Sequence, residues 1–242
     1  MYRPLAATTA VILAGGLGTR LRSVVADRPK VLAEIWGKPF LAYLLEQVAN
    51  AGVRHVVLCV GYASEQIQAA FGNTFGGMEL TYSQESTRLD TAGALRLALP
   101  QFRSDSVLAM NGDSFCDVDL SDLLAWHNSH RAKGTLVLVE MSNASRYGRV
   151  SVAPDGRIIG FEEKKSDQAG GWINAGVYLL ERTLIEKIPS GQAVSIEKEM
   201  FPAWVDQGLY GYAQASTGRF LDIGTPESYA AATEFFAPQE VE

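Results

Sequence analysis

The chain has 242 residues, of which 47% are hydrophobic and 20% charged, with a formal net charge of -6. That length and balance suit one large α/β domain with a full core, and they exclude disordered and fibrous classes. The acidic balance argues against a nucleic-acid partner, and two cysteines without close spacing suggest neither a disulfide framework nor a structural zinc.

The opening apolar run, residues 10–14, stops at Gly15-Gly16 and is too short for a signal peptide or a membrane span. No membrane partner is expected, and a reducing cytoplasm is the expected compartment. Self-association into a homo-oligomer is compatible with the sequence.

In chain order, residues 8–14 read as a buried strand. Residues 39–51 read as an amphipathic helix, with Pro39 at its start and Gly52 just past its end. A strand is expected over 53–60, a helix over 63–71, a strand over 78–83, a helix over 91–99 and a strand over 106–110. Such alternation predicts a Rossmann-like, mostly parallel but mixed central sheet with helices on both faces.

Beyond a helix over 120–131 and a strand over 135–141, the pattern turns to hairpins. Pro154-Asp155-Gly156 predicts a turn between strands over 149–153 and 157–163. A strand over 172–180, a helix over 196–207 and a last helix opened by Thr225-Pro226-Glu227 complete the reading. One domain is expected over residues 1–242, in two halves that meet near residue 115.

Leu13-Ala14-Gly15-Gly16-Leu17-Gly18-Thr19-Arg20-Leu21 follows the first strand directly. Glycines let backbone N–H groups approach a triphosphate closely, and Arg20 supplies a guanidinium able to bridge two phosphate oxygens. Lys30 adds a second cation. A Walker loop needs Gly-Lys-Ser/Thr where Thr19-Arg20 stand, and a dinucleotide loop needs a third Gly where Leu21 stands. The acid expected after the next strand is also absent, since Val60 runs into Gly61-Tyr62.

This Gly-Gly-x-Gly-Thr-Arg-Leu with a Pro-Lys about ten positions later resembles the signature of the sugar-phosphate nucleotidylyltransferases. The resemblance continues through Asn111-Gly112-Asp113, Tyr147-Gly148-Arg149, Glu162-Glu163-Lys164, Ile173-Asn174-Ala175-Gly176 and Asp222-Ile223-Gly224-Thr225. It implies Arg20, Lys30, Asp113 and Asp222 as the catalytic set, with Asp113 and Asp222 also holding Mg2+. The chemistry is reasonable, because magnesium prefers oxygen ligands and needs only one or two carboxylates besides substrate phosphates.

The resemblance further implies nucleotide contacts from Leu13, Ala14, Gly15, Gly16, Gly18, Thr19, Gln84, Glu85, Thr91, Gly93 and Asn111. On the sugar-phosphate side it implies Gly148, Glu163, Lys164 and Asn174. Many members carry Pro-Leu-Gly before Thr-Ala, whereas here Arg88-Leu89-Asp90 stand. Within the family the chain most resembles the short bacterial guanylyltransferases acting on D-glycero-α-D-manno-heptose 1-phosphate. The implied substrates are a nucleoside triphosphate, GTP first, and that sugar phosphate; the products are GDP-heptose for surface polysaccharide and pyrophosphate. Mannose 1-phosphate and other sugar 1-phosphates stay open.

Two other classes remain open at this point: a metal-dependent glycosyltransferase using Asp117-Val118-Asp119, and a non-catalytic nucleotide-sugar sensor. Asp119 also reads as the N-cap of the helix it precedes, with no metal required. His127 and His130 read as a solvated helix face, and His55, Cys59 and Cys116 carry no expected role.

Overall fold

The computed structural model describes residues 5–16, 18–21, 23–25, 27–144, 146–162, 169–213 and 219–237. Its strands in chain order are β1 (Thr9–Leu13), β2 (Glu34–Ile35), β3 (Lys38–Pro39), β4 (His55–Val60), β5 (Thr74–Phe75), β6 (Met78–Gln84) and β7 (Ser106–Asn111). Then follow β8 (Ser114–Cys116), β9 (Gly134–Asn143), β10 (Arg149–Val152), β11 (Ile158–Glu162), β12 (Ala169–Glu181), β13 (Leu209–Ala213) and β14 (Phe220–Asp222). The α-helices are α1 (Phe40–Asn50), α2 (Ser64–Phe71), α3 (Asp90–Ala98), α4 (Leu120–Ser129), α5 (Arg182–Ile185), α6 (Phe201–Trp204) and α7 (Pro226–Phe235).

Strands β6, β4, β1 and β7 lie side by side and parallel. Strand β12 then joins antiparallel to β7 and carries the sheet on into β9 and β10. The chain leaves β1 towards β4 and later crosses to β7 on the other side, so the order reverses at β1. In an open α/β sheet that reversal opens a crevice at the carboxyl ends of the strands, here just past Leu13 and Asn111.

Period-2 alternation sends the strand side chains to two cores. Ala10, Ile12, Val56, Leu58, Leu108 and Met110 pack with Phe40, Leu41, Leu44, Leu45 and Val48 of α1 on one face. Val11, Val57, Val107 and Ala109 pack with Leu95 of α3 and with Phe201 and Trp204 of α6 on the other. Helices therefore cover both faces, as the strand pattern predicts. The five α1 side chains are all 0% exposed, each contributing about 1.5–3 kcal/mol by leaving water.

Several differences from the sequence reading have local causes. Helix α1 begins after Pro39, because Lys38–Pro39 pairs with Glu34–Ile35 in a small hairpin. Its turn residues Trp36 and Gly37 have φ of 53° and 71°, the signature of a type I′ turn. The helix expected over 196–207 is instead a π-turn at Ile196–Met200, then α6, then a 3₁₀ turn at Val205–Gln207. Pro202 has no N–H for the Lys198 carbonyl, so regular α-helix cannot run through.

His127 corrects another expectation. It is not solvated but 2% exposed, with Nδ1 2.8 Å from Thr135 Oγ1 and Nε2 3.4 Å from Glu181 Oε1. A carboxylate only accepts, so Nε2 carries the proton and Nδ1 accepts from the threonine. Among the described residues no helix is long and apolar enough to cross a membrane.

Candidate functional site

The glycine loop follows β1 where the sheet order reverses. Leu21 is 1% exposed and anchors the loop, while Arg20, its neighbour in the 3₁₀ turn Thr19–Leu21, stays exposed. Gly18 has φ of 58°, and a Cβ there would stand 3.0 Å from Lys30 Cβ, so backbone conformation and space both require glycine. Gly112 lets the turn after β7 lie against β1, for a Cβ would meet the Leu13 carbonyl at 2.7 Å. Together these segments line a cavity of about 350 Å³, whose walls include Leu13, Ala14, Gly15, Gly16, Gly18, Thr19, Arg20, Lys30, Glu85, Thr91, Asn111 and Asp113.

Asp113 and Asp222 come together through backbone pairing across 109 positions of chain. Strand β14 pairs antiparallel with β8, setting Asp222 opposite Ser114, and the Ile223 N–H donates to the Asp113 carbonyl at 3.0 Å. Lys30 Nζ is 2.8 Å from Asp113 Oδ2; the lysine side chain is 9% exposed and the aspartate 48%. Asp222 accepts from the Gly224 N–H and from the Tyr147 hydroxyl at 3.4 Å, with an Arg146 nitrogen 4.0 Å away. Burial, and then the Asp222 charge, push the Tyr147 phenol above its ordinary range, so Tyr147 stays a donor to the carboxylate.

A second cavity, of about 550 Å³, adjoins the first and shares Arg20, Asn111, Asp113 and Glu197 with it. Gly148, Asn174 and Asp222 line it, beside Tyr147, Arg149 and Lys198. Asn174 sits at an irregularity in the β9–β12 pairing. Its Nδ2 donates to the Tyr178 hydroxyl at 2.9 Å and its Oδ1 accepts the Gly176 N–H at 2.9 Å. Its amide is thereby locked in one orientation. Glu163 and Lys164 lie outside the described residues.

Not every expected nucleotide contact reaches the cavity. Gln84 ends β6 as an exposed residue away from these walls. Gly93 is buried against the backbone near Gln192 and the Leu89 side chain, so it permits α3 to pack closely. Glu85 does reach the wall: its Oε2 accepts the Leu89 N–H at 2.9 Å, and burial raises its pKa. Asp119 caps α4, accepting from Ser121 and Asp122 at 2.7 and 3.0 Å, and lines a separate surface cavity with Asp117.

The sequence reading missed Glu197. Thr91 Oγ1 donates to Glu197 Oε2 at 2.9 Å, Ser195 Oγ donates to it at 3.1 Å, and the Ile196 N–H donates to Thr91 Oγ1 at 2.8 Å. The only sequence signal was Pro202, whose effect on the preceding turn was not weighed. Asn111 carries a further one: its Oδ1 is buried without a hydrogen-bond partner among the described residues, beside Asp113. Leaving a buried acceptor unpaired costs about 1–3 kcal/mol, which marks it as a group kept for a ligand.

An α/β sheet with a glycine loop at its order reversal, two convergent carboxylates and two joined cavities defines an enzyme that joins a phosphorylated nucleoside to a second substrate. Residues 9–239 match the Nucleotidyl transferase family, and the chain belongs to that family. It is a nucleotidyltransferase. It is 38% identical over 224 residues to D-glycero-alpha-D-manno-heptose 1-phosphate guanylyltransferase of Aneurinibacillus thermoaerophilus, covering 92% of this chain and 96% of that protein. It is also 39% identical to a mannose-1-phosphate guanylyltransferase of Mycobacterium tuberculosis, with 91% of this chain covered but only 62% of that longer relative. A crystal structure of HddC from Yersinia pseudotuberculosis complexed with GMP-PN superposes with a TM-score of 0.81 at 30% identity, covering 95% of this chain and 99% of the other.

Proposed function

We propose that this protein transfers GMP from GTP to D-glycero-α-D-manno-heptose 1-phosphate, releasing pyrophosphate and yielding GDP-heptose. The observation that carries this reading is the pair of cavities meeting at Arg20, Asn111 and Asp113, one walled by the glycine loop and the other by Gly148 and Asn174. The first is formed mostly by residues before 115 and serves as the nucleotide half. The second is formed mostly by later residues and serves as the sugar-phosphate half. Full-length relatedness to a heptose 1-phosphate guanylyltransferase supports the choice of sugar. Mannose 1-phosphate is the second reading, favoured by the 39% identity to the mycobacterial guanylyltransferase.

In this reaction a phosphate oxygen of the sugar 1-phosphate attacks the α-phosphorus of GTP in line. The bond from that phosphorus to the β-phosphate oxygen breaks, and pyrophosphate leaves with the electron pair. The chain contributes positioning and charge. Gly15, Gly16 and Gly18 let the backbone approach the triphosphate closely, and Arg20, which borders both cavities, neutralises it. Lys30 holds Asp113 in place through their 2.8 Å contact while adding positive charge beside the departing phosphates. On the sugar side Lys164 holds the nucleophile's phosphate, and Glu163, Asn174 and the space at Gly148 receive the ring.

Asp113, Asp222 and the unpartnered Asn111 Oδ1 are hard oxygen donors, the type that Mg2+ takes together with substrate phosphates. When bound, the ion supplies Lewis-acid neutralisation of phosphoryl oxygens. Among the described residues no group of three or more His, Cys, Asp or Glu is placed to hold a metal ion. The test is pyrophosphate release with magnesium, each nucleoside triphosphate in turn and a panel of sugar 1-phosphates. Release with GTP and the heptose phosphate supports the reading; release only with another pair corrects the specificity; silence across the panel from folded protein overturns it.

A further inference from the structure

We infer that Tyr178 is a positioning residue: its buried hydroxyl holds the Asn174 and Asn111 side chains in one relative orientation and so aligns the sugar-phosphate cavity with the junction where transfer occurs. The inference rests on the nucleotidyl-transfer reading above. Asn174 lines the second cavity, and Asn111 lines both. Tyr178 lies behind those walls at 0% exposure, so it touches no substrate and acts through its neighbours.

Strand pairing brings the three side chains together. Strand β12 pairs with β7 as far as Val177 opposite Met110, one residue short of Asn111. Against β9, Asn174 faces Leu138 and Tyr178 faces Leu136, so four steps along β12 match two along β9. The surplus forms a bulge, a device that re-aims side chains beside active sites. Gly176, midway along it, has φ of 77°, and a Cβ there would stand 2.6 Å from Ser114 Oγ and 3.0 Å from Asn111 Nδ2. The bulge therefore presses on the strand end that carries Asn111. Ser114 Oγ donates to the Ala175 carbonyl at 3.3 Å, which fastens the bulge beside Asp113.

Hydrogen-bond chemistry then fixes both amides. Asn174 Oδ1 accepts the Gly176 N–H at 2.9 Å, which leaves Nδ2 to donate to the Tyr178 hydroxyl, also at 2.9 Å. Asn111 turns Nδ2 towards the bulge and keeps Oδ1 buried without a partner among the described residues. Burial, and next the Glu197 charge, push the Tyr178 phenol well above its ordinary range, while hydrogen bonding from Asn174 and Asn111 acts the other way. The phenol thus stays neutral. Phenylalanine would fill the same space without burying a hydroxyl, so the oxygen is explained by the two amides it orients.

The test is Tyr178→Phe, which keeps the edge-on ring contact with Phe201 and removes the oxygen, compared with Asn174→Ala and the double variant. Initial rates of pyrophosphate release are measured with each substrate varied in turn. Tyr178→Phe should lower kcat about 10- to 100-fold, the scale of a misplacement near 1 Å, and raise the sugar 1-phosphate KM. The triphosphate KM should stay level, because the glycine-loop wall is left intact. In the Asn174→Ala background the same substitution should cost less than in wild type, whereas a merely structural phenol would cost the same in both. Unchanged kcat and sugar 1-phosphate KM, a rise confined to the triphosphate KM, or full additivity overturns the inference and leaves nucleotidyl transfer standing. A Tyr178→Phe chain that does not fold makes the hydroxyl structural and overturns it as well. Absence of pyrophosphate release from wild type with every triphosphate overturns the transfer reading itself, and this inference with it.

Discussion

Lys30 and Asp113 stand 83 positions apart and meet at 2.8 Å, the lysine nearly buried and the carboxylate half-exposed. This cation serves the aspartate before any substrate arrives. Lys30→Met should therefore lower kcat/KM by about 10²–10³-fold, the usual effect of removing one group that stabilises developing charge. Because Asp113 keeps access to water, the same change should cost only about 0–1 kcal/mol of stability. Steady-state kinetics beside thermal unfolding check both; a large loss of stability with normal kinetics would make the pair purely structural.

Asp222→Asn should remove turnover by about 10³-fold or more while the protein stays folded. Asparagine can still accept the Gly224 N–H, so the turn after β14 survives, but it lacks the charge. Circular dichroism and pyrophosphate release on the same sample test this. Retained activity would sink the two-carboxylate assignment.

Thr91 ties α3 to the π-turn that presents Glu197 to both cavities. Thr91→Val deprives the Ile196 N–H of its acceptor and Glu197 of a donor, at a cost of about 1–3 kcal/mol. Apparent KM should rise for both substrates together, which initial-rate measurements on each would show. A rise for one substrate alone would place Glu197 in a single cavity's function.

The His127–Glu181 contact gives an acid-side signature. Hydrogen bonding from His127, and next from Ser106, holds the Glu181 carboxyl below its ordinary range. A depressed folded-state pKa contributes stability that is present above the unfolded value and is lost as pH falls through the folded one. Between about pH 6 and about pH 3.5, spanning the ordinary glutamate value, wild type should lose more thermal stability than Glu181→Gln. Equal losses would show the contact to be energetically silent.

Both thiols should be inert. Cys59 and Cys116 are 2% and 0% exposed, and burial pushes each thiol up to about 12. A disulfide reagent near neutral pH should label neither in the native protein and both of the chain's two cysteines after unfolding. Native labelling of Cys59 would show that the nucleotide cavity opens to its floor.

The parts legible in the sequence were those fixed by short-range chemistry. Continuous apolar runs gave β1, β4 and β7, the Thr225-Pro226 pair gave the start of α7, and Asp119 gave its cap. The glycine loop and Asn111-Gly112-Asp113 were legible because each is a contiguous strand end. Distant pairing was not legible: no local pattern places Asp222 opposite Ser114, turns His127 inward towards Thr135, or brings Thr91 to Glu197 across 106 positions. The break at Pro202 was in plain view, and a continuous helix over 196–207 takes no account of its missing N–H.

Strand β12 runs for 13 residues, bonded to β7 over residues 177–181, to β9 over 169–174 and again over 178–180, and to β10 at Ile173. The halves proposed for the two substrates are thus stitched into a single hydrogen-bonded fabric, with no seam among the described strands along which one could melt and leave the other standing. Heat or denaturant should remove both in one cooperative step, and a truncation ending near residue 115 should yield not half an enzyme but an insoluble sheet edge.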